Sequence, residues 1–289
     1  MIEAQPSKTA LRVALRRAAH QVHDARPLIF DDPLAVRILG PEYADEVLRT
    51  PDSVKRPFSA AIRAFMVVRA RLAEDTLAAG VAERGVTQYL VLGAGLDTFA
   101  CRNPYAGLRV FEVDHPATQA WKLDRLKTAG IVAPETAAFV AVDFETDSLR
   151  AKLQGAGFHF EQPTVVAWLG VVPYLTPEAF RATMRVLGRC VAGSELVFDY
   201  SQPREALSER EQIMLDSMSA RVAAAGEPFQ LFFTPAQLAE ELEWLGFGVV
   251  QDFDSTAMTA RYLAGRNDGL LLRGKGGRIC IAEVRNLST

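Results

Sequence analysis

Residues 88–102 read QYLVLGAGLDTFACR. From Gln88 to Leu92 the run is uncharged, with an aromatic and three aliphatic side chains. It stops at Gly93-Ala94-Gly95 and is followed by Asp97. An apolar run of this length predicts a strand buried on both faces, and two glycines one residue apart predict a tight turn at its end. The chain is expected to continue into a helix. Glycine tolerates positive φ and lets a ligand approach the backbone, so a turn of this kind is where a nucleotide-containing cofactor sits.

The same rhythm extends in both directions. After residue 86, short β-rich runs alternate with helical segments: TQYLVLGAG, LRVFEVD, AAFVAVD, PTVVAWLG, SELVFDY, GFGVVQDF and GRICIAEV. The first five are apolar nearly throughout. Strands alternating with helices make an α/β, Rossmann-like, doubly wound parallel sheet. Thr176-Pro177-Glu178 predicts a helix start, with threonine as N-cap and proline in the first helical position. Thr234-Pro235-Ala236-Gln237 predicts another, with a capping-box glutamine. Residues 201–245 depart from the rhythm, and their place after the C-terminal end of a strand predicts a lid or substrate wall. Residues 1–85 are helical and arginine-rich, broken by Pro33 and Pro41, and are expected to form several short helices capping a core of residues 86–289.

The residues around the turn bear on which cofactor it takes. A dinucleotide fold has GxGxxG, whereas Thr98 stands here in the third-glycine position. Asp97 would put a carboxylate beside a pyrophosphate, an unfavourable pairing that reverses sign for S-adenosylmethionine, which carries a sulfonium and an ammonium and no phosphate. Asp97 can equally serve as a helix N-cap. Asp114, about 20 positions after the glycines, is placed to accept ribose hydroxyls in either cofactor. Asp143-Phe144, at the end of the third strand, pairs a polar edge with a flat ring, as an adenine requires. Tyr-x-x-x-Lys, the G-x-x-x-x-G-K-[ST] phosphate loop and the G-x-S-x-G elbow are all missing.

Bulk composition narrows the classes. A net charge of -3 provides no basic field for nucleic acid or an anionic membrane. The three cysteines (Cys101, Cys190, Cys280) are dispersed, which argues against a disulfide framework or a zinc site and fits a reducing cytoplasm. The four histidines (His20, His23, His115, His159) make no metal-ligand set. No apolar run approaches the roughly 18 residues of a membrane span. A cytoplasmic protein without metal, nucleic-acid or membrane partners is expected.

Taken together, VLGAGLDTFACR, VFEVDHP, VAVDF and WLGVVPYLT resemble the leucine carboxyl methyltransferase family. The closer likeness is to its bacterial branch of S-adenosylmethionine-dependent O-methyltransferases, which includes polyketide carboxyl methyltransferases. The resemblance runs from SKTALRVALRRA and FDDPLAVRILG to LAEELEWLGFGV. It implies a seven-stranded class I methyltransferase sheet with an antiparallel last strand and S-adenosyl-L-methionine as cofactor. It assigns cofactor contacts to Gly93, Gly95, Asp114 and Asp143-Phe144, with Lys8 and Arg69 meeting the cofactor carboxylate. Two departures stand out: Leu169 replaces the glutamate of the family's EGLLxYL, and Phe99 replaces the arginine of GLDTRAYR.

The expected acceptor is a small-molecule carboxylate or hydroxyl. A carboxylate is ionised at neutral pH and needs no general base, which suits a chain without an evident catalytic dyad. Tyr174 and Tyr200, at strand ends, are candidates for positioning the acceptor, and Phe229, Phe232 and Phe233 for walling it. The alternatives are a catalytically silent S-adenosylmethionine-binding protein and an NAD(P)-dependent oxidoreductase.

Overall fold

The computed structural model describes residues 7–49, 56–144 and 146–285. The outermost residues of the two expected units, 1–6 and 286–289, lie outside the described residues. Seven strands form one sheet in the order β3-β2-β1-β4-β5-β7-β6. They are β1 (Gln88–Leu92), β2 (Arg109–Asp114), β3 (Ala137–Ala141), β4 (Thr164–Trp168), β5 (Glu195–Ser201), β6 (Phe247–Phe253) and β7 (Gly277–Val284). β1 to β5 run parallel, and β7 is antiparallel to both β5 and β6. Strand order reverses between β1 and β4, which is where ligands bind in open parallel sheets.

Burial follows from period-two alternation. Leu90, Leu92, Phe111, Val166, Trp168 and Phe198 fill one core, under α5 (Leu149–Gly155), α6 (Pro177–Leu187) and α8 (Pro235–Trp244). Tyr89, Val91, Val110, Ala167 and Val197 fill the other, under α3 (Pro57–Arg84) and α9 (Ser255–Tyr262). Both faces of β1 and β4 are therefore buried, and this is why their sequences lack alternation. β6 is an edge strand, and Val249 and Val250 on it are exposed.

The N-terminal region holds α1 (Lys8–His23), α2 (Gly40–Arg49) and α3, which is 28 residues long. Pro33 and Pro41 both precede α3, so the expected short helices form as α1 and α2, while residues 57–84 make one long helix on the sheet. α1 and α2 instead join α4 (Pro116–Thr128) in a third cluster built on Ala14, Ala18, Ile38, Leu39, Leu96 and Leu126. Residues 201–245 contain α7 (Glu209–Ala223), an extended stretch at 227–234 and α8. The N-cap at Thr176 and the capping box at Thr234 and Gln237 form as their sequences predict.

Candidate active site

The glycine turn leaves β1 and clings to β2: the N–H groups of Gly93 and Ala94 both donate to the Val113 carbonyl, at 2.8 and 3.1 Å. Gly93 (φ 66°) and Gly95 (φ 52°) lie in the left-handed region, where side chains are strained. Space matters as much as φ. A Cβ on Gly93 would sit 2.3 Å from Val171 Cγ2, in the loop after β4. One on Gly95 would sit 3.1 Å from the Ala10 Cβ of α1. The turn is thus the point where the ends of β1 and β4 and the first turn of α1 converge.

No α-helix follows the turn. A short 3-10 turn at Phe99–Cys101 leads through Asn103-Pro104 and Gly107 to β2. The expected helix is absent because Asp97 and Thr98 turn their side chains to other partners. Asp97 Oδ1 accepts the Phe99 N–H at 2.7 Å, and Oδ2 accepts from Arg17 of α1 at 2.5 Å. Arg17 also donates to Asp32 at 2.8 Å, and Asp32 accepts the Thr98 hydroxyl at 2.7 Å. Thr98 in turn accepts from Arg102 at 3.0 Å, whose guanidinium holds Glu74 of α3 through two nitrogens. The residue that stands where a dinucleotide fold has its third glycine is therefore a hydrogen-bonding partner of Asp32. This network joins α1, the Asp32 loop, the glycine turn and α3, and sequence reading missed it. Its signal was present in the arginines and acids of SKTALRVALRR and FDDP, but their contacts with the turn cross 66 and 80 positions of chain.

Arg17 also removes the charge argument built on Asp97. The carboxyl is ion-paired, and although its burial works the other way, the guanidinium holds it well below the usual carboxylate range. Its negative charge is therefore spent within the protein and does not discriminate between a phosphate and a sulfonium.

Asp114 ends β2 with one carboxylate oxygen accepting the Gly95 N–H at 2.6 Å and the other accepting the His115 N–H at 2.7 Å. Burial pushes its carboxyl up, against those two bonds. Asp143 and Phe144 follow β3, where the Asp143 N–H donates to Asp147 at 3.0 Å and Phe144 packs against the first core. The arrangement could hold a nucleoside: a turn kept clear of Cβ atoms, a carboxylate fixed to that turn, and a half-buried ring at the next strand end.

On the other side of the switch point, buried Arg69 of α3 donates to Asp199 at 2.8 Å, and Asp199 accepts the Gly170 N–H at 2.6 Å. Gly170 (φ 73°) leaves no room for a side chain, since its Cβ would meet the Arg69 guanidinium at 2.6 Å. Lys8 opens α1 and is exposed. Beside it Ser7 donates its N–H to Thr118 at 3.2 Å, and the Thr9 hydroxyl bonds Glu227. Tyr174 closes a 3-10 turn at Val172–Tyr174, lies 5.0 Å from the Phe229 ring and has Thr9 and Glu227 as neighbours. Tyr200 goes elsewhere. Adjacent strand residues face opposite ways, so it leaves Asp199 on the α3 face and donates its hydroxyl to Asp252 of β6 at 2.8 Å, within the first core.

Comparison with known proteins follows the same outline. The profile described as leucine carboxyl methyltransferase matches residues 10–188. YktD of Bacillus subtilis (strain 168) is 30% identical over 93% of this chain and 95% of its own. A protein of Mycolicibacterium smegmatis is 31% identical over 92% of this chain and 91% of its own. Both are classed by name among S-adenosyl-L-methionine-dependent methyltransferases. Among solved structures, a duf574 family protein from Streptomyces avermitilis MA-4680 covers 94% of this chain and 96% of its own, with a TM-score of 0.59 at 17% identity. A protein from Thermobifida fusca YX covers 98% and 96%, with a TM-score of 0.58 at 14% identity. These two share the fold.

Proposed function

Because the chain belongs to the leucine carboxyl methyltransferase family, we propose that it methylates a carboxylate oxygen of a small molecule. It is an S-adenosyl-L-methionine-dependent methyltransferase, and the identity of the acceptor group is the proposal. When bound, the cofactor supplies an electrophilic methyl on a sulfonium. Gly93 and Gly95 would carry the backbone close to it, Asp114 would receive its ribose hydroxyls, and Asp143 and Phe144 would flank its adenine. Lys8 and Arg69 are the candidates for its carboxylate, Arg69 in concert with Asp199. With no α-helix after the turn, a pyrophosphate would find no helix dipole there, which speaks against the dinucleotide alternative.

The observation that favours a carboxylate acceptor is that the carboxylates described around Tyr174 already accept hydrogen bonds from the protein. Asp199 accepts from Arg69 and Gly170, and Glu227 accepts from Thr9. Burial pushes the Tyr174 hydroxyl up, so it remains protonated and cannot act as base. The histidines are engaged elsewhere: His20 with Asp24, His23 with the Val47 carbonyl, His115 at the start of α4 and His159 with Glu161. A carboxylate reaches this site already ionised, so the protein has only to orient it and strip its water. Tyr174, with Phe229 and Phe232 of the 227–234 stretch, is suited to that as a wall of rings. Tyr200, committed to Asp252, is better read as a strut of the sheet.

Calorimetric titration with S-adenosylhomocysteine, NAD⁺ and NADP⁺ tests the cofactor, and a panel of aliphatic and aromatic carboxylates and phenols tests the acceptor. Micromolar binding of S-adenosylhomocysteine alone, weakened in Asp114→Ala, together with turnover confined to carboxylates, is the expected result. Turnover of phenols instead would overturn the carboxyl assignment. Cofactor binding without turnover of either class would favour a silent binding protein.

A further inference from the structure

α1 carries a charge that no described residue answers with an ion pair. The Arg16 side chain is half-buried; its Nε is shut off from solvent and, among the described residues, has no hydrogen-bond partner. Its Nη1 donates, among the described residues, to the Arg12 carbonyl one turn back, at 3.1 Å. The charged side chains acting on it are Arg12, Arg63 and Arg69, and Tyr174 is its polar neighbour. Arg69 has Asp199 and Arg63 has Asp24, both at hydrogen-bond distance. Arg16 forms no ion pair among the described residues. Burial and the three like charges push its pKa down. A half-buried cation among cations, with one nitrogen cut off from water, is unfavourable unless an anion completes it.

Position says where that anion would come from. Thr9 and Arg16, seven residues apart, share one face of α1, and both neighbour Tyr174. The same helix lays Ala10 on Gly95 of the glycine turn. Arg16 therefore belongs to the wall between the turn and the rings at Tyr174 and Phe229. A guanidinium presents a planar fork that matches a carboxylate.

We propose that Arg16 anchors a ligand carboxylate in this site. Both ligands of the proposed reaction carry one: the cofactor in its amino-acid portion and the acceptor at its reacting end. The proposal rests on the methyltransferase reading above and adds to it a residue that fixes one of these carboxylates.

The test compares wild-type full-length protein with Arg16→Gln, Arg16→Lys and, as a control for bulk charge, Arg12→Gln. Calorimetry with S-adenosylhomocysteine and with 5′-methylthioadenosine, which lacks the amino acid, measures what the cofactor carboxylate contributes. Thermal shifts of the S-adenosylhomocysteine complex with benzoate and with hexanoate measure what an acceptor carboxylate contributes. If the cofactor is the source, Arg16→Gln reduces the advantage of S-adenosylhomocysteine over 5′-methylthioadenosine by about tenfold or more, the effect of a charge-assisted hydrogen bond. If the acceptor is the source, that advantage stays and the carboxylate-dependent shift disappears. In either case Arg16→Lys retains part of the effect, Arg12→Gln behaves as wild type, and unliganded Arg16→Gln melts no lower than wild type because an unpaired charge has been removed. Unchanged discrimination and unchanged shifts in Arg16→Gln would overturn the proposal, as would a lowered melting temperature with ligand binding intact, which marks a structural arginine. A wild-type protein that binds neither nucleoside would overturn the methyltransferase reading, and this assignment with it.

Discussion

At the scale of single residues, Asp97 shows how a motif position can serve the fold and the site together. It bonds the Phe99 N–H, which shapes the turn, and it pairs with Arg17, which secures α1. Neutralising Asp97 weakens a largely buried pair and leaves Arg17 with Asp32 alone, so Asp97→Asn is expected to lower unfolding free energy by about 2 kcal/mol at pH 7. The pH dependence has a definite sign. A carboxyl held below its unfolded value stabilises the native state above the ordinary carboxylate range and loses that contribution as pH falls through the folded value. Glu74 and Asp114 are shifted up by burial, so their ionisation opposes folding and they work in the reverse sense. The difference between wild type and Asp97→Asn should hold from pH 7 to about pH 5 and shrink by pH 3, below the reference carboxylate value. Urea denaturation at the three pH values measures it, and a difference that grows on acidification would contradict the assignment.

At the scale of elements, the strands and caps were legible because their causes are local. β1 and β4 announce themselves as uncharged, mostly apolar runs, and Thr234 with Gln237 satisfies helix N–H groups within its own turn. The expected helix after the glycine turn failed for the opposite reason. Asp97 and Thr98 answer to Arg17 and Asp32, distant in sequence, and these contacts override the local pattern. The loop after β4 carries a similar long-range constraint. Gly170 has φ 73° and faces the Arg69 guanidinium, whereas Gly193 has φ 85° and nothing within 4 Å of its Cβ position. Alanine at Gly193 meets backbone strain alone, about 1 kcal/mol. Alanine at Gly170 meets that strain and also displaces Arg69 from Asp199, so it should cost at least about 2 kcal/mol more and weaken S-adenosylhomocysteine binding. Equal melting temperatures for the two variants would show that the Arg69 contact carries no weight.

At the scale of the whole molecule, the site is assembled from segments that the chain brings together late: α1, the turn after β1, the loop after β4 and the 227–234 stretch. Sequence reading singled out the glycines and Asp114 as candidates, because a strand end and a fixed spacing point to them. It could not see that Ala10 lies on Gly95 or that Thr9 bonds Glu227, since nothing within either segment requires the other. Those two contacts make α1 part of the site's cover. The 227–234 stretch is tied down as well, through Gln230 and Leu231 to the Pro173 carbonyl and Phe233 to the Ser201 carbonyl. A ligand beneath α1 should therefore steady both segments together, because each contact of one holds the other. Hydrogen exchange with and without S-adenosylhomocysteine is expected to show added protection in residues 8–16 and 227–234 in parallel. Thr9→Val removes the bond to Glu227 while keeping the side chain's shape, and it should uncouple the two, leaving protection of α1 but reducing that of 227–234. Protection confined to the glycine turn and β2 in the wild type would show that α1 covers the site without responding to what it holds.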